Sequence, residues 1–326
     1  MPDFEQLSEL ALTYADRRGA KYADVRFVRT DYENIEVVNG IPELVDRSFD
    51  FGVGIRVIAD GAWGFAATAD VSSKAVRETA SLAVEIAKAS AKLKMEPVEF
   101  PAIPSFIGQY TTPVTVNPFE VPLKEKIDYM AELCILMART QGLTETSVSM
   151  NFKKEFQYFA SSEDIITRQN IIHSGAGIQC SAGRGHHGRA TRSYPNSSGQ
   201  YESKGYELMK ELRLEENAPI IAEETIALLS AKECPTGTKD IILDGPMLSL
   251  QIHESIGHPL ELDRVMGHER NFSGTSFVTP DKLGKLKYAS DIVNVVNDST
   301  AFFGLGTFGY DDDGVTAHRS DLIKDG

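Results

Sequence analysis

Six prolines fall between Pro97 and Pro122, at 97, 101, 104, 113, 118 and 122, and they constrain the folding of everything around them. Proline has no N–H to give a helix or an inner strand, so this stretch reads as an extended linker that closes an N-terminal domain at residue 96. A second break is expected at Pro235-Thr236-Gly237, leaving a middle domain over 123–234 and a C-terminal domain over 235–326.

Within the first domain, Phe4, Leu7, Ala11, Leu12 and Ala15 recur at helical spacing, and Gly19 follows as a stop signal. Alternating apolar residues come next: Val25 and Phe27, Ile35 and Val37, Gly52 to Ile58, and Trp63 to Ala67. Asn39-Gly40 and Asp60-Gly61 punctuate them, and such pairs accept the positive φ of tight hairpin turns. A meander of antiparallel strands is predicted, covered by a helix over Ser72 to Lys94 with Ser72 or Ser73 as its cap. The middle domain repeats the scheme. A helix over Leu123 to Thr140 precedes strands at 147–152, 155–160, 165–172, 176–181 and 188–194, then helices near 201–214 and 219–232. The expected class is α+β, multi-domain, with antiparallel sheets and covering helices. A last strand, Lys239 to Asp244, leads into a helix that begins at Pro246.

A net charge of −14 argues against a nucleic-acid surface, which needs clustered Lys and Arg. Met1-Pro2-Asp3-Phe4-Glu5 lacks the basic start of a secretory signal, and no apolar run reaches the length of a membrane span. A cytoplasmic protein with no membrane association is expected. Cys134, Cys180 and Cys234 are widely spaced without a CxxC pair, and all three are read as reduced.

The chemistry is concentrated in residues 246–260, Pro-Met-Leu-Ser-Leu-Gln-Ile-His-Glu-Ser-Ile-Gly-His-Pro-Leu. The run is mostly apolar, so a largely buried helix is expected. His253 and His258 stand at i and i+5, where the common zincin motif has i and i+4. In a straight helix five steps turn the second ring about 140° away from the first. Both can face one metal only if the helix is distorted. Gly257 and Pro259 offer the means, since glycine accepts unusual dihedrals and a residue before proline is pushed from the α region. A single π-type turn has a similar effect. On this reading His253 and His258 are nitrogen ligands to Zn2+, and Glu254 is the general base toward water that the metal activates for attack on a peptide carbonyl.

From Asp244-Gly245-Pro246 through His253-Glu254-Ser255-Ile256-Gly257-His258-Pro259-Leu260-Glu261, the chain resembles the HExxxH segment of the TldD/PmbA metalloprotease family, once called modulators of DNA gyrase. Tyr310-Asp311-Asp312-Asp313-Gly314-Val315 and Leu322 to Gly326 resemble that family's later stretches, and residues 23–89 its first domain. The resemblance implies the catalytic TldD-like type, a peptidase acting on peptides or unfolded protein. It also implies a homo- or heterodimer with a related subunit and a shared cavity. The third zinc ligand it implies is a cysteine beyond the position of Gly326, so residues 235–326 are expected to hold an incomplete metallopeptidase domain that binds zinc weakly by itself. Cys234, Glu261, Asp263 and His268 lack motif support as substitutes. His-Glu-x-x-Gly-His also resembles dipeptidyl peptidase III, but the sheet-rich N-terminal half does not. The alternative from another class is a non-catalytic peptide-binding or regulatory subunit of a protease complex; intact His253, Glu254 and His258 count against it.

Three further signals are set aside. Gly304-Leu305-Gly306-Thr307-Phe308-Gly309 fits GxGxxG, but no helix opens after it. Asp311 to Asp313 lack the alternating ligands of an EF-hand and read as a solvated turn. Gly183 to Arg189, with Arg192, is a basic cluster read as a polar hairpin.

Overall fold

A computed structural model describes residues 3–94, 96–101, 103–183, 188–195 and 199–326. The chain forms two compact units, Met1–Ser230 with Asp298–Arg319, and Ala231–Asn297 with Ser320–Gly326. The architecture is the expected α+β class, with a mostly antiparallel sheet and covering helices.

In the first unit, α1 (Phe4–Arg17) is capped by Asp3, whose side chain accepts from the Gln6 N–H, and it buries Leu7, Ala11 and Ala15. β1 (Tyr22–Val38), β2 (Ile41–Ala59) and β3 (Ala62–Thr68) form the meander. Both residues of each connecting turn, Asn39-Gly40 and Asp60-Gly61, have positive φ, as a two-residue hairpin requires. Ser72 caps α2 (Ser73–Ser90). This helix lies so close to β3 that a Cβ on Gly64 would stand 2.1 Å from the Ala83 carbonyl oxygen.

The prolines do not exclude regular structure. β4 (Phe106–Thr111) falls in a proline-free window and pairs in parallel with β6 at the end of the sheet, so its N–H groups are intact for one neighbour. After α3 (Leu123–Ala138) come β5 (Leu143–Ser161), β6 (Ile165–Ala182), β7 (Ala190–Tyr194) and β8 (Gln200–Glu202). The four short strands expected between 147 and 181 are thus two long ones. A helix expected over 201–214 is instead β8 followed by α4 (Leu208–Glu211), with α5 (Leu214–Leu228) behind it. The sheet order is β3-β2-β1-β5-β6-β4, with β7 and β8 also against β6. Strands from either side of the proline-rich segment therefore lie in one sheet, because β1 pairs with β5 from Asp24↔Ser161 to Val38↔Ser147.

One face of this sheet carries two apolar clusters. Val25, Phe27, Val53 and Ile55 pack with Leu7, Ala11, Val76 and Ala80 of α1 and α2. Ile35, Val148, Met150 and Ile178 pack with Met130, Leu133 and Met137 of α3 and with Ile221 of α5. A buried ion pair sits beside the second cluster. Lys126 donates to Glu33 and, at 2.6 Å, to the Pro118 carbonyl, and its ammonium lies 4.4 Å from the centre of the Phe152 ring. Burial pushes the Lys126 pKa down while Glu33 opposes the shift.

Segment 298–319 belongs to this unit. The Gln169 side chain accepts from the N–H groups of Gly309 and Tyr310 and donates to the Tyr310 carbonyl at 2.9 Å. Asp313 is not merely solvated, since Arg56 donates to it at 2.5 Å, and Arg26 reaches the Asp312 carbonyl at 2.6 Å. The same Arg56 lies over the ring of Trp63 and pairs with buried Asp24. In the proposed basic hairpin, residues 184–187 lie outside the described set; Arg189 and Arg192 pair with Glu145 and Glu224. Cys134 and Cys180 are buried and free, and Cys234 is exposed and free.

The second unit holds α6 (Gly245–Ile252) and α7 (Leu262–Val265). β9 (Val295–Asp298) and β10 (Arg319–Ile323) pair where the chain leaves and re-enters it. The strand expected over 239–244 does not form: among the described residues nothing pairs with it, and Ile241 and Ile242 are exposed. No described helix is long and apolar enough to cross a membrane.

Candidate metal centre

The helix bearing the histidines starts as its sequence dictates. Asp244 caps it, its Oδ1 accepting from the Met247 N–H at 3.0 Å, and Pro246 occupies the first turn, where its missing N–H costs nothing. The expected burial is not found, for Met247, Leu248 and Leu250 are exposed and no side chain of α6 is buried. Periodicity could not decide this, because a uniformly apolar helix has no preferred inner face.

At Ile252 the regular helix gives way to a π turn over His253–Gly257. The His258 N–H bonds to the His253 carbonyl, five residues back. In such a turn i and i+5 occupy adjacent levels of one face, as i and i+4 do in an α-helix. The rings of His253 and His258 accordingly meet with centroids 4.4 Å apart at 76°. The expected exit of His258 from the α region does not occur; its φ and ψ are −58° and −42°. Widening takes place earlier, and Gly257 also keeps a negative φ, −56°.

Proline contributes in another way. In an α-helix the Ser255 carbonyl would accept from residue 259, but Pro259 has no N–H. The Tyr288 hydroxyl donates to that orphaned carbonyl instead, with the Tyr288 ring stacked 5.9 Å from Phe277. Ser276 Oγ serves the Pro259 carbonyl at 2.5 Å. Backbone groups freed by the irregular turn are thus satisfied by side chains from 276–288.

One donor atom from each of His253, Glu254 and His258 lies within 4.8 Å of the others. Two imidazoles and a carboxylate suit a borderline cation such as zinc. All three side chains are reachable, His253 and Glu254 being about 60% exposed (59% and 61%) and His258 32%. Behind His258, its Nδ1 stands 2.7 Å from Glu261 Oε1, and Arg264 holds Glu261 Oε2 at 3.1 Å. Sequence reading passed over Arg264 and took Glu261 only as an unsupported ligand. The signal was the i, i+3 spacing from His258 across a proline. Cys234 and His268 do not join the three-residue group.

With this geometry in place, comparison with known proteins is direct. Residues 23–87 match the model for PmbA/TldA metallopeptidase domain 1, and residues 236–326 that for the PmbA/TldA metallopeptidase C-terminal domain. A metalloprotease of Methanocaldococcus jannaschii is 27% identical over 94% of this chain, and one of Methanothermobacter thermautotrophicus is 27% identical over 99% of it. The chain spans 64% and 66% of the length of those relatives. A structure described as a putative modulator of DNA gyrase from Bacteroides thetaiotaomicron superposes with a TM-score of 0.72 at 14% identity, covering 100% of this chain and 71% of that one. TldE from Thermococcus kodakarensis gives 0.64 at 15%, covering 98% and 68%. The sequence models describe metallopeptidase domains, and the solved structures share the fold. In its first and C-terminal domains this chain is similar to the PmbA/TldD family.

Proposed function

We propose that this chain carries the catalytic helix of a zinc-dependent peptidase that hydrolyses peptides or unfolded protein segments. His253 and His258 are the imidazole ligands, and Glu254 is the general base. The observation that carries the reading is the π turn, which turns an i, i+5 spacing into two rings 4.4 Å apart. Bound zinc supplies a Lewis acid and lowers the pKa of water to about 7. Glu254 follows His253 directly and its Oε1 lies 3.9 Å from His253 Nε2, within reach of a water beside the ligands. It accepts that water's proton and returns it to the leaving amine. The metalloprotease names of the relatives support the activity. The TldE neighbour supports assembly with a related subunit.

Zinc binding to the 326-residue chain, followed by calorimetry, tests the ligands. His253→Ala and His258→Ala are each expected to abolish it, and undiminished binding in both would reject the assignment. Glu254→Gln is expected to keep the metal while hydrolysis of a peptide library falls by about 100- to 10,000-fold. Undiminished hydrolysis would reject the general-base role.

A further inference from the structure

We propose that Glu261, held by Arg264, is a positioning residue that fixes which nitrogen of His258 is offered to the metal. The proposal rests on the zinc-ligand reading above and adds a role that the motif does not contain. Its basis is the order of turn types along 253–264. After the π turn, His258–Leu260 form a 3-10 turn with Pro259 inside it. Residues at i and i+3 eclipse in that geometry, which sets Glu261 directly over His258. Oε1 of Glu261 lies 2.7 Å from Nδ1 of His258. A carboxylate has only acceptor sites there, so Nδ1 carries a proton, and in the neutral ring that a metal requires Nε2 is the nitrogen left with its lone pair.

The carboxylate is itself restrained. Its other oxygen is 3.1 Å from Arg264, three residues further on, whose side chain is only 19% exposed. With Oε1 on the imidazole and Oε2 on the guanidinium, Glu261 is engaged on both sides and is not itself a ligand. Metal-bound histidines are commonly oriented by a carboxylate on the other ring nitrogen, and its loss costs roughly 10- to 100-fold in metal affinity. His253 has no corresponding partner among the described contacts apart from Glu254 at 3.9 Å. The two imidazoles are therefore unequal, and His258 is the prearranged one.

Two measurements on the 326-residue chain test this. In the metal-free protein labelled with 15N-histidine, ring-nitrogen chemical shifts report the tautomer. His258 is expected as the Nδ1–H form in wild type and in Glu261→Gln, whose amide oxygen can still accept, and as a mixture in Glu261→Ala. Zinc titration is expected to give an affinity loss of about 10- to 100-fold for Glu261→Ala and less than about threefold for Glu261→Gln. An unchanged tautomer and affinity in Glu261→Ala would overturn the proposal, as would a loss in Glu261→Gln as deep as in Glu261→Ala. Absence of zinc binding in wild type would instead defeat the ligand assignment, while the metal-free tautomer still decides the role of Glu261.

Discussion

In the sheet-bearing unit Phe27, Ile55 and Met130 are completely buried, whereas in the histidine-bearing unit Phe272 and Ile292 are 93% and 88% exposed. The first unit is held by non-local pairing: β1 and β5 stay in register over their shared length, and two apolar clusters lie beneath them. The second holds its important geometry mainly in the backbone, by a capped helix start and two irregular turns, with two hydroxyls from residues 276 and 288 serving the freed carbonyls. Substitutions should therefore register in the first unit as packing and desolvation effects. In the second they should register as changes in donors and acceptors.

The largest expected effect probes the buried pair. Lys126→Met leaves the Glu33 carboxylate, which is 1% exposed, with half-exposed Arg47 as its remaining charged partner, and should lower the unfolding free energy of the sheet unit by about 1 to 3 kcal/mol in urea titration. Glu33→Leu combined with Lys126→Met should recover most of that, because it removes the buried carboxylate and leaves only Arg47, 51% exposed, to be solvated by water. A double variant as unstable as the single one would mean that the pair contributes more than it costs to bury.

Glycine gives the sharpest contrast between the units. At Gly64 a Cβ would stand 2.1 Å from the Ala83 carbonyl oxygen and 2.5 Å from the Ala87 nitrogen, both backbone atoms that cannot move aside. Gly64→Ala should cost about 1 to 3 kcal/mol in thermal unfolding. At Gly257 the nearest atom is 3.9 Å away, the Ile252 carbonyl oxygen. Gly257→Ala should then leave zinc affinity within about twofold and stability unchanged or raised by up to about 1 kcal/mol. Loss of metal binding in that variant would show that the π turn depends on glycine after all.

The smallest effect concerns pH. His173 Nε2 is buried without a partner, and burial together with Lys153 pushes its pKa below 6.5. Folding therefore disfavours the charged ring. The stabilisation that this neutral histidine contributes is present above its unfolded pKa and is lost as pH falls through the lower, folded value. The unfolding midpoint of the sheet unit should fall between about pH 7 and 5, and less steeply in His173→Gln. Identical slopes would remove His173 as the cause.

Much of the local structure was legible because its causes are local. Asn39-Gly40 and Asp60-Gly61 marked hairpins, and Ser72 marked a helix start. The spacing of His253 and His258 required a distorted helix, and a π turn is there. What was not legible depends on partners distant in sequence. Nothing near Asp24 announces Ser161 as its neighbour, and Phe106–Thr111 becomes a strand only because β6 lies beside it. Lys239 to Asp244 has the composition of a strand without a neighbour, and it stays irregular. Glu261 was missed for a different reason. Its contact with His258 follows from a 3-10 turn, and the effect of Pro259 had been assigned to the dihedrals of the residue before it.

The π turn has one more consequence. His253 and His258 are joined by a main-chain hydrogen bond from the second residue to the first, so the spacing of their rings is set by backbone rather than by the side chains between. Ser255 can change identity without retuning that distance, provided the carbonyl of residue 255 keeps its hydroxyl donor, Tyr288, whereas Ile256, 7% exposed, anchors the turn from its inner side. The interval between the two imidazoles is thereby free to vary on its outer side, while the imidazole pair keeps its place.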